Sequence, residues 1–283
     1  GNLAIARQLI AQGAEVKIQT ADGFTPLQWV ATYGDLELLK LLVDKGASIT
    51  SLDYLSRTPI MQAAGGSHLE VVQYLAEKGA SLSDVDQDGN TLMLWGAMGG
   101  NLKLVQWLIA QGAGSNVKNY DGLTPFLASV SYGHLELVKF FIEQGANLED
   151  TNAQGWTALT IAANQGYMQM AQLLLAKGAN VNPRTESGET PVLQAALKGH
   201  VVLMELFLNE KGSLDEAFLG AIRGKQLRIA ENLLTRGANI NVTDAFDNTP
   251  LIYAAYDGKP DIVSFLIQNK ADQTLKNQKK SSR

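Results

Sequence analysis

The sequence predicts an all-α solenoid of stacked helix-turn-helix repeats joined by β-hairpin-like fingers, with one repeat lacking its finger. Two signals recur every 33 residues. A threonine opens each repeat at Thr25, Thr58, Thr91, Thr124, Thr157 and Thr190. A Gly-Ala pair closes each repeat, beginning at residues 13, 46, 79, 112, 145 and 178. Five of the seven prolines directly follow the repeat-opening threonine, at positions 26, 59, 125, 191 and 250. A fixed period of this length is typical of a solenoid, which grows by stacking similar helical pieces.

Composition limits the classes of function. The chain has 283 residues, 46% of them hydrophobic, which suits a packed core. A net charge of -5 argues against a general nucleic-acid surface, which needs clustered basic residues. With no cysteine there is no disulfide or thiolate metal site, and no apolar run is long enough to cross a membrane. We therefore expect no cofactor, no metal, no nucleic-acid partner and no membrane span.

The chain begins inside a repeat. Residues 1–12 match the second half of the later repeats, so residues 1–20 are expected to form a partial repeat that starts at its second helix. On this pattern we interpret the sequence as a fragment or a processed form.

The repeat at 21–53 illustrates the others. Thr25 stands where a helix N-cap is expected, and Pro26 follows at the first helical position, where its missing N–H has no cost. A second helix is predicted from Leu36 to Lys45, with leucines at helical spacing. Gly46 then ends it as a C-cap glycine would. Helices this short are marginal alone, so stacking must stabilise them.

Three segments carry a family resemblance: DGFTPLQWVATYGDLELLKLLVDKGASI, DGLTPFLASVSYGHLELVKFFIEQGANL and SGETPVLQAALKGHVVLMELFLNEKG. They resemble ankyrin repeats, and the resemblance covers about residues 1–277. It implies one ankyrin-repeat domain over 1–283, with repeats at about 21–53, 54–86, 87–119, 120–152, 153–185, 186–214 and 245–277, a finger-less repeat at 215–244 and a polar tail at 278–283. The histidine that usually follows Thr-Pro-Leu is replaced by Gln28, Met61, Leu94, Leu127, Thr160, Leu193 and Ile252. The Thr–His hydrogen bond of the family is therefore expected to be absent.

One repeat departs from the period. Gly237 follows Gly212 after only 25 residues, which leaves no room for a finger. The helix pair survives as Ala217–Ile222 and Leu227–Leu234, so residues 211–215 should connect the helices directly. We predict that the missing finger leaves a gap in the row, acting as a cleft or hinge.

The C-terminal end also departs from the pattern. The last repeat, 245–277, has Lys270 where the closing glycine is expected. The basic residues of the tail are compatible with a localisation signal or a lipid contact, but a solvated chain end is favoured.

A catalytic interpretation is disfavoured. The only histidines, His68, His134 and His200, are 66 residues apart, or two repeats. Packed helices lie roughly 8–10 Å apart, which separates neighbouring histidines by roughly 20 Å and prevents a shared metal or relay. They resemble the family's Gly-His loop position, where histidine makes structural hydrogen bonds. The sequence therefore predicts no enzyme.

Acidic pairs occur in the fingers, but their positions are those of ordinary turns. Asp86 with Asp88, and Glu186 with Glu189, are expected to be solvated there. A general acid–base pair would require one carboxylate in an apolar pocket, and the sequence indicates none.

The four tryptophans are interpreted from their position in the repeat. Trp29, Trp95 and Trp107 fall on helices, and Trp107 replaces leucine, tyrosine or phenylalanine of other repeats, which predicts a core position. Trp156 lies in a finger where other repeats vary between polar and apolar residues, which predicts a surface position.

The resemblance implies that fingers and first helices form the face that binds proteins. By register, the candidate partner-binding residues are Asp22, Phe24, Tyr33, Tyr54, Arg57, Asp88, Tyr120, Asp121, Tyr132, Trp156, Gln165, Glu186, Glu189, Lys198, Phe246 and Tyr256. Eight of them are aromatic in a chain that is only 7% aromatic, and five are acidic against two basic. Aromatic enrichment is typical of protein-binding surfaces. We expect a partner protein with a basic and apolar surface.

The leading hypothesis is a non-catalytic protein–protein interaction scaffold, which we expect to be a cytoplasmic monomer. The alternative is the ankyrin targeting region of a larger enzyme or secreted bacterial effector whose catalytic domain lies outside this sequence; delivery into a host cell stays open. A structural spacer is the third possibility, but it predicts a polar face, which the aromatic residues oppose.

Overall fold

The computed structural model describes residues 3–278 and divides into two compact units, Gly1–Ala146 (unit 1) and Asn147–Arg283 (unit 2). Within the described range there are 17 α-helices, and the only β pairing there is an isolated bridge between Val85 and Thr91. The all-α prediction is confirmed. The first two residues of the predicted partial repeat, and the predicted tail after Gln278, lie outside the described residues.

Unit 1 stacks first helices on first helices. Its elements are α1 Leu3–Ala11, α2 Pro26–Tyr33, α3 Leu36–Asp44, α4 Pro59–Gly65, α5 Leu69–Glu77, α6 Leu92–Gly99, α7 Leu102–Ala110, α8 Pro125–Ser131 and α9 Leu135–Glu143. Helix α2 packs on α4, α4 on α6 and α6 on α8, and each also packs on the second helix of its own repeat. Leu27, Leu39 and Leu75 are among the fully buried side chains between these layers.

Unit 2 repeats this arrangement. Its elements are α10 Ala158–Gln165, α11 Met168–Ala176, α12 Pro191–Lys198, α13 Val201–Asn209, α14 Leu214–Arg223, α15 Leu227–Thr235, α16 Pro250–Tyr256 and α17 Pro260–Gln268. Helix α10 packs on α12, α12 on α14 and α14 on α16. Phe207 and Phe218 are the largest fully buried side chains of this unit.

The caps explain why the helices begin and end where they do. Thr25 accepts a hydrogen bond from the Gln28 backbone N–H, and Pro26 occupies the first turn. Gly46, after α3, has φ +86°, the left-handed conformation that glycine adopts without strain. Lys270 takes the same role after α17 with φ +68°, which a side chain adopts only at a cost.

In the first full repeat, glutamine performs the role of the missing histidine. The Gln28 side-chain Oε1 accepts hydrogen bonds from the Thr25 backbone N–H at 2.9 Å and from the Thr25 hydroxyl at 3.1 Å. Its Nε2 donates to the Arg57 carbonyl at 2.7 Å. The Thr–His bond is absent here, but a capping box takes its place and also joins the helix to the next finger.

Each finger is a tight loop closed by one side chain at its start, which we call the finger-base residue. Its side-chain oxygen accepts the backbone N–H four residues later, at 2.8–3.1 Å. The finger-base residues are Thr20, Asp53, Asp86, Asn119, Asn152, Thr185 and Asp244. Side chains of Asp, Asn and Thr favour such turns because they satisfy the local backbone.

The repeat without a finger is closed by direct helix contact. Helix α14 begins at Leu214, and Ser213 accepts the Glu216 backbone N–H at 3.3 Å. A Cβ added to Gly220 would lie 2.3 Å from the Leu193 carbonyl oxygen, so α14 approaches α12 more closely than any side chain allows.

The fingers on either side of the deletion are brought together. A Cβ added to Gly188 would lie 3.5 Å from the backbone nitrogen of Ala245, the first residue of the last repeat. Next to them, the buried Glu216 accepts a hydrogen bond from the Thr190 hydroxyl at 2.8 Å and pairs with Arg184. The neighbouring fingers therefore lie side by side, so the predicted gap between them is wrong, while the predicted hinge stays a prediction.

Candidate functional site

The histidines have structural roles, as predicted. Each ring lies against a glycine of the preceding repeat and bonds a main-chain carbonyl there: His68 with Thr32 at 3.0 Å, His134 with Met98 at 2.7 Å and His200 with Asn164 at 3.2 Å. Among residues 3–278, no group of three or more His, Cys, Asp or Glu side chains is arranged to hold a metal. No described helix is both long and apolar enough to cross a membrane.

A concavity of unit 1 lies between the fingers and the first helices. It has a volume of about 520 Å³, and we call it the unit-1 groove. Helices α4 and α6 contribute Gln62, Trp95 and Met98, while Tyr132 follows α8. The fingers contribute the acidic pair Asp88 and Asp121 together with other lining residues, namely Leu55, Arg57, Asp86, Asn90, Asn119 and Leu123.

Inside the groove, Asp86 organises a buried polar network. Its Oδ2 accepts hydrogen bonds from the Trp95 indole N–H at 3.1 Å and from the Asn90 amide at 2.9 Å. Asn119 then donates to Asn90 at 2.8 Å, which links two successive fingers. Asp86 is only 4% exposed, so the expectation that it is solvated is wrong. Its second carboxylate oxygen closes its own finger, and this role requires burial.

Gln62 is the exception in this groove. Its side chain is buried, with 7% exposure, and its Nε2 has no hydrogen-bond partner. One repeat later, the equivalent Trp95 donates to the finger-base residue nine positions before it. The finger-base residue before Gln62 is Asp53, whose Oδ2 is already taken by Arg57 Nε at 2.7 Å. Arg57 therefore occupies the Asp53 oxygen that corresponds to the acceptor of Trp95 in the next repeat.

An aromatic cluster lies at the N-terminal side of unit 1. The Trp29 and Tyr33 rings stack with centroids 6.0 Å apart, and Phe24 lies 5.2 Å from Trp29. Arg57 lies over Phe24 at 5.6 Å from the ring centroid. Tyr33 is 70% exposed and Trp29 is 45% exposed, so the cluster offers an apolar surface.

Two candidate tyrosines are positioned by the finger before them. The Tyr54 backbone N–H donates to the Asp22 carbonyl at 3.2 Å, and its ring covers Gly23. Two repeats later, the Tyr120 backbone N–H makes the same contact and donates to the Asp88 carbonyl at 3.0 Å. Both rings stay more than 70% exposed, so they are fixed in place but accessible.

In unit 2 the equivalent polar groups bond one another. Arg223, at the end of α14, pairs with Glu189 at 2.9 Å and lies over the Tyr253 ring at 5.1 Å. Gln194, which has the register of Gln62, donates its amide to Glu189 and accepts from Asn164 at 2.9 Å. Glu189 is therefore a half-buried ion-pair partner rather than the solvated residue we expected.

The network continues to the last finger. The Tyr253 hydroxyl donates to the Asp244 carboxylate at 2.5 Å. Burial, aided by this hydrogen bond, raises the pKa of Tyr253 to about 12. Burial is also the largest effect on Asp244, but hydrogen bonds from Asn248, Tyr253 and Phe246 outweigh it and lower the pKa of that carboxyl.

The predicted partner-binding residues divide between the two units. Twelve of the sixteen are exposed: Asp22, Tyr33, Tyr54, Asp88, Tyr120, Asp121, Tyr132, Gln165, Glu186, Lys198, Phe246 and Tyr256. Four are half-buried: Phe24, Arg57, Trp156 and Glu189. Of the sixteen, the unit-1 groove brings together Arg57, Asp88, Asp121 and Tyr132. Trp107, predicted to lie in the core, is also only half-buried.

Sequence reasoning missed Gln62 and the finger-base residues. The finger-base residues recur with the same 33-residue step as the threonines, from Thr20 to Thr185, so the period itself could have revealed them. Gln62 shares its position with Trp95 and Gln194, which marks it as facing the same side. Its unpaired amide follows from a competition between two side chains, and no spacing signals that.

Comparison with known families agrees with this architecture. The chain matches the sequence model of ankyrin repeats (3 copies) over residues 1–86, 92–185, 129–217 and 217–282, and it belongs to the ankyrin-repeat family. Ankyrin repeats are generally protein–protein interaction modules, and the family is typically non-catalytic. A comparison with curated proteins gave no match.

Proposed function

We propose that this chain is a non-catalytic protein-interaction scaffold, and that it binds a partner protein through the fingers and first helices. The unit-1 groove is the observation that carries the proposal. Its volume of about 520 Å³ falls within the range of ligand-binding clefts, roughly 300–1,000 Å³. Helices and fingers that are held by hydrogen bonds line it, so little ordering is required when a partner binds.

Exposed tyrosines support the same surface. Tyr33, Tyr54, Tyr120 and Tyr132 are 56–77% exposed in unit 1. Tyrosine provides a large contact area with few rotatable bonds, and it is enriched among residues that dominate binding energy. Their side chains contact fixed neighbours, such as the His134 ring stacked 6.4 Å from Tyr132.

The charges of the groove favour a basic partner. Asp86, Asp88 and Asp121 line it, and the one basic lining residue, Arg57, is paired with the buried Asp53. A partner with basic and apolar character would complement both the carboxylates and the aromatic rings.

Selection of random peptides displayed on phage tests the proposal. Peptides should be enriched on the wild-type protein, and Tyr132→Ala should weaken their binding by about tenfold, which corresponds to about 1.4 kcal/mol. Glu136→Ala, on the exposed side of α9 in the same repeat, is the matched control and should leave affinity unchanged. The proposal is wrong if no peptide is enriched, or if variants on the finger and first-helix face all bind as well as the wild type.

A further inference from the structure

We infer that the unit-1 groove binds an extended peptide segment of the partner, with one of its main-chain carbonyls on Gln62 Nε2 and an arginine side chain between Asp88 and Asp121. The inference rests on the proposed function and specifies the chemistry of its ligand. Three observations on the groove carry it: an unpaired buried donor, unpaired rim carboxylates and aromatic rings beside them.

The unpaired donor is the first observation. Gln62 lines the groove and is only 7% exposed. Its side-chain Nε2 has no hydrogen-bond partner. Buried amide hydrogens are rarely left unsatisfied, because losing water without gaining a partner is unfavourable. A carbonyl oxygen entering the groove would satisfy Nε2. Main-chain carbonyls are the acceptors that every extended peptide presents at regular intervals.

Comparison along the register shows why this donor is unusual. Trp95 uses Asp86 at the equivalent position, and Tyr253 uses Asp244. Only the Gln62 repeat has an arginine four residues after its finger-base residue, and that arginine occupies the acceptor oxygen of Asp53. The acceptor within the chain is thereby occupied, and the Nε2 of Gln62, a residue that lines the groove, stays without a hydrogen-bond partner.

The rim carboxylates are the second observation. Asp88 and Asp121 are exposed and lie on neighbouring fingers, which the bond from the Tyr120 N–H to the Asp88 carbonyl joins. Within the described chain, neither carboxylate has an ion-pair partner. A cationic side chain of the ligand would find two acceptors there.

The aromatic rings decide in favour of arginine. Trp95 and Tyr132 line the same groove as the two carboxylates. A guanidinium group is planar, donates several hydrogen bonds to carboxylates and stacks on aromatic faces. A lysine ammonium group is a compact, strongly hydrated charge, so it binds two carboxylates and an aromatic face at the same time less well.

The test uses synthetic versions of the peptides enriched on the wild-type protein. Enriched sequences should contain arginine, and replacing it by citrulline, which removes the charge, should weaken binding about tenfold. Gln62→Met and the double variant Asp88→Asn/Asp121→Asn should each raise Kd of the arginine peptide by about tenfold. Gln194→Met, the register-matched change in unit 2, should leave Kd unchanged once the protein is shown to be folded.

The outcomes separate this inference from the proposed function. Enriched peptides without arginine, or an arginine peptide that binds Gln62→Met as tightly as wild type, would overturn the inference while leaving the scaffold function intact. Absence of any enriched peptide would overturn both. Should Gln62→Met fail to fold, the exposed Asp88→Asn/Asp121→Asn pair decides, and an unchanged Kd there rejects the inference.

Discussion

Gln62 in unit 1 and Gln194 in unit 2 occupy the same position of a first helix, yet only one of their amide nitrogens has an acceptor. Both side-chain oxygens accept a hydrogen bond, from Thr32 to Gln62 at 3.4 Å and from Asn164 to Gln194 at 2.9 Å. Gln194 Nε2 donates to Glu189, whereas Gln62 Nε2 has no partner. The repeat register fixes where each side chain points. Whether the amide nitrogen is available to a partner protein depends on the neighbouring finger, because a finger residue either accepts a hydrogen bond from it or is bonded to another group.

The lost finger extends this difference in unit 2. Without it, α14 approaches α12 closely, and Arg223 at its end reaches Glu189 and the Tyr253 ring. The polar groups there satisfy one another within the chain. Unit 1 keeps all its fingers and leaves carboxylates at Asp88 and Asp121 without ion pairs. The polar groups beside the missing finger therefore pair within the chain, whereas two carboxylates on the fingers of unit 1 have no ion-pair partner among the described residues.

The largest effect is expected from filling the close helix contact of unit 2. A Cβ added to Gly224 would lie 2.0 Å from the Leu197 carbonyl oxygen. The main chain of a helix cannot move aside as the end of a side chain can. Gly224→Ala should lower the free energy of unfolding by about 3 kcal/mol, as overpacking does. Urea unfolding followed by circular dichroism measures it.

The matched control lies in unit 1. A Cβ on Gly96 of α6 meets first the Leu108 side chain, at 3.2 Å, and this end of a flexible group can move. Gly96→Ala should change the unfolding free energy by less than about 1 kcal/mol. Equal losses in Gly96→Ala and Gly224→Ala would contradict the tight helix contact.

A smaller effect is expected at the Tyr253–Asp244 bond. Tyr253→Phe removes a hydrogen bond to a carboxylate and should destabilise the protein by about 2 kcal/mol at neutral pH. The folded pKa of Tyr253, about 12, lies above the ordinary tyrosine value of 10.0, so the unfolded chain releases its proton first. The stabilisation is complete below pH 10.0 and is lost as the pH rises through about 12.

Unfolding measured at alkaline pH checks this sign. The wild type should lose more stability than Tyr253→Phe as the pH rises, and the phenol should titrate late by its absorbance. Tyr256→Phe, on the same helix but 88% exposed, is the control and should follow the wild type. If Tyr253→Phe declines in parallel with the wild type, the hydroxyl is not held by Asp244.

A stabilising change is expected at the end of the last repeat. The five second helices of unit 1 are each followed by a left-handed glycine, at positions 13, 46, 79, 112 and 145, whereas α17 is followed by Lys270 at φ +68°. Lys270→Gly should raise the free energy of unfolding by about 1 kcal/mol, since glycine adopts this conformation without strain. Thermal unfolding measures it. Lys177→Gly, at φ -92° after α11, should give no such gain.

The sequence predicted most of the architecture but little of the pairing. Thr25 and Pro26 mark a helix start through local chemistry, and their recurrence at a fixed step locates the other first helices. The burial of Asp86 and the unpaired amide of Gln62 depend on which side chains compete across neighbouring repeats. Which side chain bonds the acceptor depends on the folded geometry. In this structure Arg57, and not Gln62, donates to the Asp53 carboxylate.

The contact between the two fingers on either side of the missing one was not predicted from the sequence either. The short spacing before Gly237 indicates a missing finger, but it does not show that the fingers on either side lie next to each other. Glycine at 220 and 224 allows the helices to come closer, and the finger at Ala245 then lies beside Gly188. Close approach of this kind depends on what faces each glycine, which the spacing along one chain does not show.

The central claim is that unit 1 leaves a donor for a ligand, while unit 2 uses the equivalent donor itself. The most direct test is the free energy of unfolding of Gln62→Met beside that of Gln194→Met, without any peptide. Gln194→Met should lose about 1–3 kcal/mol, because the half-buried side chains of Glu189 and Asn164 each lose a hydrogen bond to Gln194. Gln62→Met should be as stable as the wild type or slightly more stable, since it removes an unsatisfied buried donor. A loss in Gln62→Met as large as that in Gln194→Met would contradict the account.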